Sequence, residues 1–308
     1  MKQILVIGSL NMDFVVSVEE MPRKGETISA KNMQLIGGGK GANQACAAGK
    51  LGAPTAMLGA VGKDTYGDRL LDSLKQAGVD VSRILRLEEE TTGIALITVD
   101  SHGENSITVI PGANGAVSCE YIERNRDLIA ASDYVLLQLE IPMETVVYAA
   151  KLAHEMGKTV ILDPAPAPDH LPDELFQYVD LLKPNETELE KLSGIPVNEE
   201  TLKSAAETMK HKGVPCVIVT LGGEGMYGSF PDGSECRLYT QKVPVVDTTA
   251  AGDSFTGALA AAMGEGASVL EAMDYAGKVA AVVVTRKGAQ TSLPTKEEVE
   301  AFYRNTSL

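Results

Sequence analysis

Apolar residues along this chain fall into two patterns. Short continuous runs, such as Ile4-Leu5-Val6-Ile7, Val160-Ile161-Leu162 and Cys216-Val217-Ile218-Val219, end in glycine or a polar residue. Runs without polar alternation predict strands buried on both faces. Longer stretches between them carry helical spacing. Strands are expected at 4–7, 55–61, 134–139, 159–162, 179–182 and 216–221. Helices are expected at 45–50, 65–77, 118–131, 143–156, 186–192 and 200–211, then at 252–263, 268–285 and 296–304. This βα repetition predicts an α/β fold, a doubly wound, mostly parallel sheet flanked by helices.

Two regions break the rhythm. Residues 14–18 and 26–36 are strand-like around Pro22-Arg23-Lys24-Gly25, with a strand expected at Thr27-Ile28-Ser29-Ala30. Residues 92–100 and 105–110 repeat the pattern around Ser101-His102-Gly103-Glu104. No helix separates the members of either pair, so two hairpins are expected in one small sheet apart from the main domain. The division is then 1–13, 37–91 and 112–308 for the large α/β domain, and 14–36 with 92–111 for the small sheet.

Charge narrows the partners. The 308 residues carry a net charge of −15, which argues against non-specific nucleic-acid binding but leaves a nucleotide ligand open. Cys46, Cys119, Cys216 and Cys236 are scattered with no Cys-x-x-Cys pair, the usage of buried thiols in a reducing cytoplasm. The apolar run after Met1-Lys2-Gln3 is too short for a signal peptide, and no run approaches a membrane span.

The chemistry concentrates at Asp247-Thr248-Thr249-Ala250-Ala251-Gly252-Asp253. Val243-Pro244-Val245-Val246 reads as the end of a strand before it, and Ser254-Phe255-Thr256-Gly257 as a helix beginning after it. Backbone N–H groups at a helix start have no intrahelical partner and face an anion readily. Ala250, Ala251 and Gly252 are small enough for a phosphate to approach, and Asp253 would stand beside it as a base. The alternative is that Asp253 is an ordinary first-turn acid stabilised by the helix dipole.

Other strands also end in polar residues: Asn11 and Asp13, Glu140, Asp163, the run Lys183-Pro184-Asn185-Glu186-Thr187-Glu188, and Thr220-Leu221-Gly222-Gly223-Glu224-Gly225. Singly, such residues are turn and cap formers. Jointly they converge on the sheet edge where α/β folds hold ligands. Asn11, Asp13, Lys40, Asn43 and Glu140 suit a small polyol. Asn185 and Glu188 suit Mg²⁺ with bound waters. The turn at 222–225 suits a nucleotide's ribose and phosphates, or is a plain glycine loop. Gly37-Gly38-Gly39-Lys40-Gly41-Ala42-Asn43-Gln44 is not a Walker A loop, because Gly41 stands where that pattern needs Ser or Thr. Gly8-Ser9-Leu10-Asn11 lacks the dinucleotide fingerprint, and the four histidines form neither a metal cluster nor a Ser-His-Asp set.

Together these motifs resemble the phosphofructokinase-B, or ribokinase-like, sugar kinases. Residues 37–44 resemble the family's first signature and 247–253 its second. Pro184-Asn185-Glu186-Thr187-Glu188 and Thr285-Arg286-Lys287-Gly288-Ala289-Gln290 fit its ribose-phosphorylating branch best. The resemblance runs in order over nearly the whole chain. It implies ATP-dependent phosphorylation of D-ribose at the 5-hydroxyl with Asp253 as general base, or, alternatively, action on deoxyribose, another sugar or a nucleoside. Ribose would be held by Asn11, Asp13, Gly39, Lys40, Asn43, Glu140 and Asp253. ATP with Mg²⁺ would lie along Asn185, Glu188, Thr220, Gly222, Gly225 and Gly252, over an anion hole at Ala250, Ala251, Gly252 and Asp253.

The resemblance also implies K⁺ near Asp247, Thr249, Val283, Arg286, Gly288 and Ser292, partly through backbone oxygens. A carboxylate beside helix C-terminal carbonyls suits a weakly hydrated monovalent cation better than Mg²⁺. The competing reading pairs Asp247 with Arg286 or Lys287. The two hairpins would be the family's lid, with Val15, Ile28, Ile94, Leu96 and Ile107 as an apolar face that a second copy covers in a homodimer. Tyr275-Ala276-Gly277-Lys278 departs from the family, lacking the His or Asn often found near adenine. A rival of another class is a catalytically silent sugar- or nucleotide-binding regulator, against which the retained Asp253, Lys40 and Gly252 argue.

Overall fold

The computed structural model describes residues 1–306. The strands are β1 (Ile4–Ile7), β2 (Asn11–Ser17), β3 (Asn32–Gly38), β4 (Thr55–Leu58), β5 (Ala60–Gly62), β6 (Val79–Asp80), β7 (Leu85–Leu87), β8 (Gly93–Val99), β9 (Asn105–Ile110), β10 (Tyr134–Leu137), β11 (Thr159–Leu162), β12 (Leu181–Leu182), β13 (Cys216–Thr220), β14 (Met226–Ser229) and β15 (Glu235–Leu238). The helices are α1 (Lys40–Lys50), α2 (Thr65–Gln76), α3 (Cys119–Arg124), α4 (Arg126–Ala131), α5 (Met143–Glu155), α6 (Asp173–Phe176), α7 (Glu186–Ser193), α8 (Leu202–His211), α9 (Ala251–Gly264), α10 (Val269–Val283) and α11 (Lys296–Thr306).

The continuous apolar runs build a nine-stranded sheet in the order β15-β14-β13-β12-β11-β10-β1-β4-β6. It is parallel from β6 to β13, and β14 and β15 add an antiparallel edge. Strands such as Ile4–Ile7 and Tyr134–Leu137 are buried throughout, because helices cover both faces. One apolar layer joins Ile4, Val6, Leu136 and Ile161 to Ala45, Ala258 and Val279. The other joins Leu5, Ile7, Val135 and Val160 to Val146, Ala149 and Ala205.

The chain starts at β1 in the middle of the sheet, runs outward to β4 and β6, and returns beside β1 at β10. Strand order therefore reverses between β1 and β10, and a crevice opens at their carboxyl ends. Small residues let α1 and α9 meet closely above it. A Cβ on Gly257 would lie 2.6 Å from the Gln44 carbonyl oxygen and 2.8 Å from the Ala47 Cβ.

The second sheet has four strands, ordered β3-β2-β8-β9. Two antiparallel pairs, β2·β3 and β8·β9, are joined through the parallel pair β2·β8. This sheet begins at Asn11 and takes in Gly37 and Gly38, so Asn11 and Asp13 lie on one of its strands. The strand expected at 27–30 is irregular chain, and β3 begins later, at Asn32. Period-two alternation fixes which residues share a face. Val15, Ile97 and Ile107 lie on the face that carries Asp13, while Ile94 and Leu96 point to the opposite one. The apolar set expected on one face is thus split over both, and Ile28 lies outside the strands.

Three further expectations change. Val243-Pro244-Val245-Val246 forms no strand; Val245 and Val246 are exposed, and one backbone bond from Val246 N–H to the Val284 carbonyl anchors the stretch. The strand expected at 55–61 breaks at Gly59, where a Cβ would lie 2.7 Å from the Gly8 carbonyl oxygen, and β5 pairs instead with β7. The helix expected at 118–131 is two helices, interrupted at Asn125, whose side-chain amide donates to the Tyr121 carbonyl at 2.9 Å. The antiparallel edge β14–β15 was not foreseen.

Candidate active site

The crevice between β1 and β10 gathers the first polar set. Ser9 Oγ donates to Glu140 Oε2 at 2.5 Å, and the Lys40 N–H donates to the same oxygen at 3.1 Å. Asn114 Nδ2 donates to Asn11 Oδ1 at 2.8 Å, which fixes how the Asn11 amide faces. Gly39 has φ +88 and packs on the Leu10–Asn11 backbone, where a Cβ would lie 2.6 Å from the Asn11 nitrogen. Only glycine fits both conditions there. Asp13 is 8% exposed. Burial, then the nearby Glu140 and Asp253 carboxylates, push its pKa up to about 7 against the opposing pull of Lys40. Burial works against the Lys40 ammonium, but Asp253, Asp163, Glu140 and Glu188 outweigh it and hold the group above its ordinary value. Asn11, Asp13, Lys40, Asn43, Glu140 and Asp253 are thus brought together around the crevice.

The second set sits at the start of α9. Ala250 precedes the helix with φ 60, an uncommon left-handed conformation for a non-glycine residue. The first helical bond runs from the Ser254 N–H to the Ala250 carbonyl at 2.8 Å. The Ala251 N–H is taken by the Thr248 carbonyl at 3.2 Å. The Gly252 and Asp253 N–H groups therefore have no acceptor among the described residues, as a helix start requires. Asp253 is 7% exposed, with Oδ2 accepting from Asn43 Nδ2 at 2.9 Å and Oδ1 approached by Gln44 Nε2 at 3.4 Å. A first-turn acid serving only the helix dipole would face solvent; this one faces a buried polar cluster.

Asn185 caps α7 in a reciprocal box: its Oδ1 accepts from the Glu188 N–H at 2.8 Å, and Glu188 Oε2 accepts from the Asn185 N–H at 2.9 Å. Burial, then Asp163, raise the Glu188 carboxyl above its usual range, with Lys183 opposing. Thr220 lies beside Asn185 through a bridge between the two chain segments. Gly222 opens the short turn that Gly225 closes, and a Cβ on Gly225 would lie 2.0 Å from the Leu238 carbonyl oxygen. On α10, Gly277 packs against Met226 and Thr240.

Asp247 is bonded to its own turn and to the segment after α10. Its Oδ1 accepts from the Thr249 N–H at 2.9 Å and the Thr249 hydroxyl at 2.6 Å, and its Oδ2 accepts from the Gly288 N–H at 2.9 Å. Burial opposes ionisation there, but these bonds hold the carboxyl below the usual range. Arg286 pairs with Glu298 instead, at 3.3 Å. Val283 ends α10, its carbonyl accepting from the Arg286 N–H at 3.0 Å, and Ser292 Oγ donates to the Ala289 carbonyl at 2.7 Å. The sequence reading missed several contributors: Ser9, Gln44, Asn114, Gln138 and Thr256 are buried polar residues of the site, and only their excess of polarity in apolar elements would have marked them.

Comparison with known proteins places this geometry. Residues 1–296 match the pfkB family carbohydrate kinase profile. Ribokinase of Haemophilus influenzae is 41% identical over 302 residues, covering 98% of both chains. The crystal structure of ribokinase from Thermotoga maritima superposes with a TM-score of 0.91 at 41% identity, covering 99% of this chain and 100% of that one. Arabidopsis thaliana ribokinase, complexed with ribose and ATP, superposes with a TM-score of 0.90 at 36% identity, covering 97% and 98%. With the crevice at the strand-order reversal, the buried Asp253 and the free N–H groups beside it, this agreement establishes that the chain belongs to the pfkB family of carbohydrate kinases.

Proposed function

We propose that this protein transfers the γ-phosphoryl group of ATP to the 5-hydroxyl of D-ribose, giving D-ribose 5-phosphate and ADP. One observation carries the reading: the buried Asp253 carboxylate beside the free N–H groups that open α9, within electrostatic reach of Asp13 and Lys40. Asn11, Asp13, Gly39, Lys40, Asn43 and Glu140 hold the sugar hydroxyls. Asp253 takes the proton from the 5-hydroxyl as its oxygen attacks the γ-phosphorus, and the N–H groups of Gly252 and Asp253 stabilise the charge that develops. ATP lies along Asn185, Thr220, Gly222 and Gly225.

The residues present suit the two ions. Glu188 keeps Oε1 outside its capping box, which fits Mg²⁺ held through water. That ion supplies charge neutralisation on the phosphates. Asp247 Oδ2, which accepts only from the Gly288 N–H, retains a lone pair beyond its bond to the chain. With Thr249, Val283, Arg286, Gly288 and Ser292, it fits K⁺ at the end of α10. The exposed Ile107 and Val109, with Val15 and Ile97 on the same face, support a homodimer through the small sheet. No helix among the described residues is long and apolar enough to cross a membrane, and four free cysteines support a cytoplasmic location.

The test is ADP release by the purified protein with Mg-ATP and a panel of D-ribose, 2-deoxyribose, other sugars and nucleosides. D-ribose is expected to give the highest kcat/KM, with product phosphorylated at O5 by phosphorus NMR. Preference for another acceptor, or no acceptor-dependent ADP release, would overturn the proposal. The second outcome would favour a silent binding regulator.

A further inference from the structure

Beneath the proposed base lies a buried polar network. Gln44, on α1, is fully buried. Its Nε2 donates to Asp163 Oδ2 at 2.9 Å and reaches Asp253 Oδ1 at 3.4 Å, while its Oε1 accepts from Gln138 Nε2 at 2.7 Å. Ionised carboxylates only accept, so the amide nitrogen must point toward them and the amide oxygen toward Gln138. Asp163 Oδ2 is also 2.9 Å from Lys183 Nζ, with side chains 2% and 4% exposed. Thr256 Oγ1 lies 3.4 Å from that same oxygen. Lys183 Nζ reaches the Gly252 carbonyl at 3.4 Å, which ties the ion pair to the turn carrying the base.

We infer that Gln44, oriented by the Asp163–Lys183 ion pair and by Gln138, is a positioning residue that fixes the Asp253 carboxylate to receive the substrate proton. The inference rests on the reading of Asp253 as general base. Lys183 Nζ lies 2.9 Å from Asp163 Oδ2, and that oxygen accepts from the Gln44 amide and aims its nitrogen. The same nitrogen steadies the Asp253 oxygen that Asn43 does not hold. Two carboxylates are thus bridged by one donor group, with Lys183 supplying the charge that allows it. Because Gln44 is buried beneath the site, its effect belongs to the chemical step and not to sugar binding.

Gln44→Met keeps the volume and removes the donor. Expected are a kcat lower by about 10- to 100-fold, the scale of a hydrogen bond to a charged group, and a KM for ribose within about threefold of wild type. The acid limb of the kcat–pH profile should move to higher pH, because the base loses a donor to its ionised form. An unmoved limb with kcat within about threefold, alongside an inactive Asp253→Asn, would overturn the inference and leave the base assignment standing. An active Asp253→Asn would remove the base assignment instead. Should Gln44→Met fail to fold, Lys183→Met and the double variant Asp163→Asn/Lys183→Met decide. Recovery of kcat in the double variant, where a neutral amide again accepts from Gln44, supports the positioning role. An equal loss in both contradicts it.

Discussion

At the scale of single residues, Asp13 shows how the site is held at a cost to stability. Its carboxyl titrates at about 7, raised by burial and by Glu140 and Asp253. In the unfolded chain an aspartate titrates at about 3.9. Below that value both states are protonated and the group is neutral to folding. As pH rises toward 7 the unfolded chain releases its proton first, so the native state loses stability, and the full penalty is present above 7. The difference corresponds to an order of 4 kcal/mol. Asp13→Asn is therefore expected to raise Tm at pH 8 and leave it unchanged at pH 4, while weakening ribose binding at both. Equal Tm values for wild type and variant at pH 8, by calorimetry, would contradict the assignment. Asn11, Asp13 and Glu140 were legible because each follows a strand that reads clearly as buried. Ser9, Gln44, Asn114 and Gln138 were not, because nothing local separates a buried polar residue of a site from one that merely satisfies its neighbours.

At the scale of elements, the turn before α9 carries the two proposed sites, one at each end. Asp253 opens the helix toward the crevice, and Asp247 ties the other end to Gly288 through a 2.9 Å bond. An ion held there would order the turn without touching substrate. K⁺ is expected to raise kcat and Na⁺ to raise it less, with Asp247→Ala abolishing the response. Equal rates in K⁺ and in a bulky organic cation at matched ionic strength would refute the ion's role. The sequence signalled this helix start correctly but not what precedes it. Val243-Pro244-Val245-Val246 has strand-like composition, yet no sheet edge receives it, so Val245 and Val246 stay exposed. Apolar composition marks burial only where a partner surface exists. The break at Gly59 and the second start at Asn125 were hidden for a related reason: both follow from contacts to distant backbone or to the residue's own side chain, not from periodicity.

At the scale of the whole molecule, the order of strands explains why one crevice collects residues from positions 9 to 253. Alternating βα units made the parallel sheet legible, and the reversal between β1 and β10 then placed the ligand edge. The small sheet was legible as two hairpins, but its faces were not, because assigning them needs the register across β2 and β8. That register puts Ile97, Ile107 and Val109 on the Asp13 face, with Ile107 and Val109 open to solvent at 55% and 47%. An open apolar sheet face favours a second copy. Sedimentation at micromolar protein is expected to give a dimer, and Ile107→Glu a monomer. A wild-type monomer with and without ribose would contradict the dimer.

The central claim is that the buried carboxylate at the start of α9 moves the proton in phosphoryl transfer to ribose. Its most direct test is kcat for Asp253→Asn, measured as ribose-dependent ADP release beside ATP affinity. The substitution keeps the shape and removes the base, so kcat should fall by at least about 10² to 10⁴-fold while ATP still binds. A variant that retains more than about a tenth of wild-type kcat would contradict the account.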